Sequence, residues 1–273
     1  MSEAIVERPS ADARTAPQSI LRASAIAWFI PALIGNWLFA YHVAKEYFVT
    51  ALGGNIATWN ERLFVGLVQG DLAGNLALVA HLIIAFLVTI GGTLQLIPQL
   101  RARAPSFHRW NGRLYIVMAF ITAIAALYMV WTRDTFGPDS LEVSVSINAV
   151  LIMICAAMTL RHAMARRIDV HHRWALRTFM VMSGVWFLRV IYACIGVVTQ
   201  GEMLPGIASD MSGPLDLVIS FSSYLLPLAI LELYLQAQRS PGAAAKLAAA
   251  GLVLVAAGTT SIGVFGTAVG WLS

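Results

Sequence analysis

Charged residues are scarce in this chain: they form 12% of its 273 residues, whereas hydrophobic residues form 59%. Soluble domains carry about 25% charged residues, so this deficit excludes an ordinary water-soluble protein. Only two cysteines are present, Cys155 and Cys194. Both fall within long apolar runs, which favours small apolar side chains over a disulfide. The sequence therefore indicates an integral membrane protein.

Several chemical signatures are also missing. The chain has no Walker-type glycine loop, no CxxCH haem attachment, no HExxH zinc motif and no carboxylate cluster for a proton relay. Hydrolysis, ATP-driven pumping and zinc chemistry therefore have no residues to support them. The net charge of +4 is better explained by membrane topology than by a nucleic-acid partner.

Long apolar runs dominate what is present. A membrane-spanning helix needs roughly 20 such residues, and seven runs qualify: about 23–45, 75–97, 114–132, 143–161, 175–198, 215–236 and 247–271. Backbone groups in lipid must be paired within each segment, so the runs are predicted to be helices. The sequence predicts an all-α integral membrane protein with seven transmembrane helices over 23–273, preceded by a disordered N-terminus over 1–22.

Basic residues are distributed unevenly between the ends of these spans. Of the 18 Lys and Arg residues, 14 fall in the N-terminus and in the loops between spans 2 and 3, 4 and 5, and 6 and 7. Positive residues accumulate on the cytoplasmic side of a membrane. We therefore expect a cytoplasmic N-terminus and a C-terminus on the outer, periplasmic or extracellular side.

A basic cassette occurs twice at the predicted cytoplasmic side. SFHRWNGRLYIV, residues 106–117, returns as VHHRWALRTFMV, residues 170–181. Aligning the cassettes also aligns two helical hairpins, about 75–132 and 143–198, which run in the same sense as in a parallel internal repeat. This pattern predicts a core four-helix bundle of spans 2–5, with spans 1, 6 and 7 packed outside it.

Histidine and arginine side chains make the cassettes candidates for a binding site. The matched residues are His108, Arg109 and Arg113 in the first cassette and His172, Arg173 and Arg177 in the second. Trp and Arg are typical of interfacial anchoring, but the histidines are not. Helix N-termini attract anions. Two interpretations stay open: interfacial anchors, or a site for lipid phosphate, a phosphate-bearing ligand or haem propionates.

Two further polar residues lie deeper in the predicted spans. His81 and Arg189 are each roughly 25 Å from the cassettes at 1.5 Å per residue. An arginine near the membrane interior costs on the order of 3 kcal/mol or more, so it must face partners or a wet cavity. Asn148, Tyr192 and Asp216 are further members of this layer. We expect His81, Asn148, Arg189 and Tyr192 to form a ligand pocket that opens outward, with a buried structural network as the alternative.

Histidines at matching depth raise the question of haem. A b-type haem bound by two histidines needs both at one level on facing helices. His108 and His172 match in level, and so do His42 and His81 near the outer face. Haem b is therefore a candidate cofactor, with either pair as iron ligands, although histidines in this number produce level pairs fairly often by chance.

The first cassette and its surroundings, QLIPQLRARAPSFHRWNGRLY over 95–115, resemble a family of predicted bacterial membrane proteins classed as a domain of unknown function. The family pattern is Gln-Leu at the end of one span, an Arg-bearing loop, and His-Arg-x-x-Gly-Arg-x-Tyr opening the next. Here these residues are Gln95, Leu96, Arg101, His108, Arg109, Gly112, Arg113 and Tyr115. The resemblance runs over about 70–200. It implies a bacterial inner-membrane protein and supplies no activity.

In architecture alone the chain is similar to four-helix b-type cytochromes, a likeness that implies haem. Three function classes stay open. The first is a redox protein in which a histidine pair ligates haem or flanks a quinone. The second is a transporter or lipid-handling protein that binds an anionic ligand at Arg189. The third is a non-catalytic membrane organiser whose cassettes bind membrane lipids, and a GxxxG pair in span 7, Gly266 and Gly270, allows a homodimer or internal packing.

Overall fold

The computed structural model describes residues 16–63, 65–133 and 139–272. All regular structure in these residues is helical. The long helices are α1 (Ala16–Leu52), α2 (Leu72–Leu96), α3 (Pro105–Arg133), α4 (Asp139–Met164), α5 (Ile168–Met182), α6 (Gly184–Val198), α7 (Pro214–Arg239) and α8 (Ala243–Leu272). Short helices at Ile56–Thr58, Trp59–Arg62 and Pro98–Arg103 lie in the connections. The predicted all-α fold class is confirmed.

Six helices within the described residues are each long and apolar enough to cross a membrane. Helices α5 and α6 qualify only together, as a pair bent by 55°, so the chain has up to seven candidate spans. The fifth span was predicted as one helix over 175–198, and the bend corrects that prediction. It falls at Ser183 and Gly184, and glycine is a weak helix former.

Helix α1 begins at Ala16, earlier than the predicted start at residue 23. Pro17 lies in its first turn, where the missing N–H of proline has no helical partner to lose. The helix continues through a π-helical stretch at Ala44–Val49 before it ends. Residues 1–15 of the predicted disordered N-terminus lie outside the described residues.

The helices form one connected bundle. Helices α2, α3, α4 and α5 pack in chain order, α1 packs along α8, and α8 packs along α6. Helix α7 packs against α4, α5 and α6, and its opposite face carries exposed Val218, Leu225 and Leu233. The helix buries Ser220, Ser223 and Tyr224, a polar face that is costly to expose to lipid.

Two glycines of α8, Gly263 and Gly266, allow close packing within the chain. A Cβ on Gly266 would lie 2.8 Å from Cγ2 of Val197 on α6, and a Cβ on Gly263 would meet the carbonyl of Val190. The absence of side chains therefore allows α8 and α6 to approach closely. A homodimer through this helix stays a prediction.

The bundle has two ends, the cassette end and the far end, which carry different connections between the helices. The cassette end carries the turns at 97–105, 165–168 and 240–242. The far end carries the connections at 53–71 and 199–213, together with the last residues of α8.

Candidate functional site

The first cassette forms the opening turns of α3. Pro105 begins the helix, and Nη2 of Arg109 donates to the Ser106 hydroxyl at 3.1 Å. The guanidinium of Arg113 lies over the Trp110 ring at 5.1 Å. Nε2 of Gln95 on α2 donates to the His108 carbonyl at 3.0 Å. The cassette therefore ties α3 to α2 and leaves Arg109 and Arg113 exposed.

The second cassette has the same local geometry and one additional partner. The guanidinium of Arg177 lies over the Trp174 ring at 4.7 Å. Its Nε and Nη2 also donate to the two carboxylate oxygens of Glu232 on α7, at 2.6 and 2.8 Å. Sequence reasoning assigned Arg177 to an anion or cofactor site. The structure instead satisfies it with a carboxylate of this chain, in the bidentate geometry that guanidinium groups favour.

The cassettes come close to each other at one end of the bundle. His108 and His172 lie within electrostatic range of each other, and both lie within range of Arg101 and His171. Nδ1 of His171 is 3.0 Å from the Thr159 carbonyl on α4, so this histidine connects α5 to α4. Arg173 is half-buried on the same helix. The two cassettes and His171 therefore make contacts that connect neighbouring helices.

A cavity of about 140 Å³ lies in the interior of the bundle. Four residues that line it, each from a different helix, carry a buried polar atom without a hydrogen-bond partner: His81 Nδ1 (α2), Thr122 Oγ1 (α3), Asn148 Oδ1 (α4) and Trp186 Nε1 (α6). The hydroxyl of a fifth residue, Tyr224 (α7), also lines the cavity and interacts with the Ser144 side chain of α4. Among the residues that the structure describes, no Lys, Arg, Asp or Glu lines this cavity. The cavity is therefore uncharged there, with a mostly apolar lining that carries a few polar groups.

The five residues occupy one layer across the membrane. At 1.5 Å per residue, His81, Asn148 and Tyr224 lie roughly 14–15 Å from the far ends of their helices. Thr122 and Trp186 lie roughly 17–18 Å from the far ends of theirs. The layer therefore falls well inside a hydrocarbon core of about 30 Å, where unpaired polar groups find no water unless a cavity supplies it.

The break between α5 and α6 shapes this cavity. Ser183 and Gly184 both line it. A Cβ on Gly184 would lie 2.9 Å from Nδ2 of Asn148, so the glycine allows the amide to approach this closely. The bend thus brings the start of α6 against the polar side chain of α4.

The structure divides the four residues of the predicted pocket. His81 and Asn148 line the cavity, whereas Arg189 and Tyr192 do not. The Tyr192 hydroxyl donates to Asp216 at 2.5 Å, and the backbone N–H groups of Ala208 and Gly213 donate to the same carboxylate. Asp216 is fully buried, so Tyr192 belongs to a clasp between α6 and the start of α7.

Neither predicted histidine pair lines the cavity as a pair. His81 has no second histidine among the lining residues. The His42 ring is stacked on Trp271 of α8 at 4.7 Å, and its Nδ1 is buried without a partner. No group of three or more His, Cys, Asp or Glu side chains in the described part of the chain is arranged to hold a metal ion. The cavity geometry therefore adds no support for haem ligation by His42 and His81.

Sequence reasoning missed Thr122, Trp186 and Tyr224. Serine and threonine are common in transmembrane helices and bond back to their own helix, as Thr89 does to Ala85 at 2.7 Å, so Thr122 carried no distinctive signal. Composition likewise does not show whether the side chains of Trp186 and Tyr224 face lipid or the interior of the bundle. One property of the sequence could have identified these three residues. Counted from the far end of its own span, each lies at nearly the same depth as His81 and Asn148.

Comparison with known proteins adds a family. Residues 78–211 match the family model described as predicted membrane protein (DUF2306). The matched segment contains both cassettes, His81, Asn148 and Arg189. No curated protein and no solved structure matches the chain. The match confirms the resemblance expected from the first cassette and shows residues 78–211 to be a domain of the DUF2306 family of predicted membrane proteins.

Proposed function

We propose that this multi-pass membrane protein binds a neutral, lipid-soluble small molecule with a polar ring in the central cavity. The observation that carries the proposal is the set of four unpartnered polar atoms that line one cavity from four helices, with the Tyr224 hydroxyl of a fifth helix beside them. A buried polar group without a partner costs about 1–3 kcal/mol. A bound molecule that pairs with several of these atoms would remove much of that cost.

The charge and size of the cavity narrow the class of ligand. Its lining, as far as the structure describes the chain, has no Lys, Arg, Asp or Glu to attract a charged group, which favours a neutral ligand. An apolar cavity of about 150 Å³ admits a benzene ring, and this one measures about 140 Å³. One six-membered ring with polar substituents therefore matches the space, with any apolar tail directed towards lipid.

The hydrogen-bonding character of the lining favours a quinone head group among such rings. Trp186 Nε1 only donates and Asn148 Oδ1 only accepts, whereas the Thr122 and Tyr224 hydroxyls do both. Quinone carbonyls need donors, and the hydroxyls of the reduced quinol need acceptors as well. A lining that offers both can hold either form. This supports the quinone-linked version of the redox class more than haem ligation.

A binding measurement tests the proposal. The probes are decylubiquinone and decylbenzene, which share a tail but differ in ring carbonyls, added to the detergent-purified protein. We expect decylubiquinone to quench tryptophan fluorescence saturably and decylbenzene to bind much more weakly. Thr122→Val and Asn148→Leu should each weaken quinone binding roughly two- to tenfold, the value of one hydrogen bond.

Thr89→Val is the matched control. Thr89 lines the same cavity, but its hydroxyl already donates to Ala85 of its own helix, so its loss should leave affinity almost unchanged. Equal binding of both probes, or equal effects of Thr89→Val and Thr122→Val, would contradict the proposal.

We also propose that the protein lies in a bacterial inner membrane with its N-terminus cytoplasmic. The support is the charge distribution, since 14 of the 18 Lys and Arg residues fall at the cassette end or the N-terminus. The exposed cassette residues, Arg109 and Arg113 among them, then face lipid headgroups. Reporter fusions at the C-terminus test this orientation: alkaline phosphatase should be active there and a cytoplasmic reporter should not.

A further inference from the structure

Arg189 carries a charge inside the membrane without a carboxylate partner. It lies on α6 roughly 14 Å from the helix end at Val198, and its side chain is exposed on the surface of the bundle. Nη1 donates to the Val185 carbonyl at 3.2 Å, and the guanidinium lies over the Phe39 ring at 5.1 Å. In the described part of the chain no Asp or Glu pairs with it. Most of its N–H donors therefore remain available.

The neighbouring groups of α1 make the surroundings of Arg189 more positive. His42 lies within electrostatic range of Arg189, Lys45 and Arg62, and of a single carboxylate, Glu46. That carboxylate is already paired with Arg62 at 2.7 Å. The cations at this place therefore outnumber the anions, and the one carboxylate is occupied.

His42 offers a second unfilled hydrogen-bonding position. Its Nδ1 is buried without a partner, and the ring is held against Trp271 by stacking. His42 lies roughly 15 Å from the end of α1 at Leu52, which is close to the depth of Arg189 in α6. The two side chains therefore belong to one level of the bundle.

We propose that Arg189 and His42 form a binding site for the carboxylate or phosphate group of a membrane-soluble amphiphile. An arginine in a transmembrane segment costs on the order of 3 kcal/mol or more unless it is compensated, and an oxyanion accepts the paired N–H donors of a guanidinium. The exposed side chain of Arg189 can be reached from the lipid. Val185, one turn along α6, is also exposed and presents apolar surface to the chain of the amphiphile.

This site is separate from the central cavity. Arg189 does not line the cavity, whereas Phe39 lines it and carries the guanidinium over its ring. The aromatic ring therefore stands between the charged group and the neutral interior. A failure of quinone binding in the cavity would leave this proposal unaffected, because the two hydrogen-bonding residues of this site, Arg189 and His42, do not line the cavity, although the apolar Phe39 and Val185 do.

The test compares a charged amphiphile with its neutral counterpart. Lauric acid and methyl laurate have the same chain, and their binding to the full-length protein in detergent is measured by calorimetry at a pH above the pKa of the acid. We expect the acid to bind roughly tenfold or more tightly than the ester, as for a charge-assisted hydrogen bond. Arg189→Gln should abolish the preference, and Arg189→Lys should retain part of it.

Arg239→Gln is the control, since Arg239 is exposed at the cassette end of α7 and its loss should not change the preference. Inorganic phosphate is then added as competitor. Displacement of laurate supports an oxyanion site that is open to water, and no displacement supports a site filled from the bilayer. Equal affinities for acid and ester in the unmodified protein, or a full preference in Arg189→Gln, would overturn the proposal without depending on how any variant folds.

Discussion

Near the cassette end, polar side chains within the bundle are mostly bonded to a neighbouring helix. Arg177 on α5 is held by Glu232 on α7, and Asn111 on α3 donates to the Gly91 carbonyl on α2 at 2.9 Å. The Thr159 hydroxyl on α4 is 2.9 Å from that of Thr178 on α5. His162, whose Nδ1 is buried without a partner, is an exception.

Around the central cavity fewer polar side chains are paired between helices. Ser220 on α7 bonds Ser144 on α4 at 2.8 Å, but a buried polar atom stays unpaired in each of four residues from four helices: His81, Thr122, Asn148 and Trp186. The residue types in the two layers are similar, so composition does not distinguish them. A polar group paired across a helix interface holds the bundle together, whereas one left unpaired beside a cavity is available to a ligand. The comparison makes opposite predictions for equivalent substitutions.

The largest effect is expected at the ion pair of the cassette layer. Arg177→Met should lower the free energy of unfolding by about 1–3 kcal/mol, because it leaves the half-buried Glu232 carboxylate between α5 and α7 without its partner. Thermal unfolding in detergent measures the change. The double variant Arg177→Met/Glu232→Leu should recover most of the loss, since no unpaired charge remains.

Arg113 provides the matched control for that experiment. It makes the same contact with a tryptophan of its own cassette, but no carboxylate pairs with it in the described residues. Arg113→Met should therefore cost less than about 1 kcal/mol. Similar losses in the two single variants would show that the ion pair does not distinguish the cassettes.

A smaller effect, of opposite sign in the two layers, is expected for two asparagines. Asn111→Leu removes the donor to Gly91 between α3 and α2 and should cost about 1 kcal/mol. Asn148→Leu removes an oxygen that has no partner, so the ligand-free protein should be unchanged or more stable by up to about 1 kcal/mol. Unfolding of both variants in one detergent gives the difference, and equal destabilisation would refute the distinction between layers.

The smallest effect is expected for two threonines, whose replacement by valine keeps their shape. Thr159→Val breaks the bond to Thr178 and should lower stability by about 0.5–1 kcal/mol. Thr122→Val removes a hydroxyl without a partner and should change the ligand-free stability by less than about 0.5 kcal/mol. The same unfolding assay resolves them when both are compared with the unmodified protein. A loss of stability in Thr122→Val larger than in Thr159→Val would contradict the prediction, because it would mean that the Thr122 hydroxyl is hydrogen-bonded in the ligand-free protein.

The sequence alone determined the fold class, the approximate positions of the candidate spans and the family. These properties are local: about 20 consecutive apolar residues specify a membrane helix whatever surrounds them. The cassette at 106–117 was likewise sufficient to indicate the family that residues 78–211 match. The depths of His81 and Asn148 also followed from counting residues along a helix of known rise.

Only the tertiary structure decided which polar residues meet. Glu232 lies 55 positions after Arg177 in the chain, and no pattern in either segment indicated that they pair. The bend at Ser183, the inward face of α7 with Tyr224, and the separation of Arg189 from His81 all depend on how each helix is rotated about its axis. Hydrophobicity around a membrane helix does not reveal that rotation, because lipid and the bundle interior are both apolar.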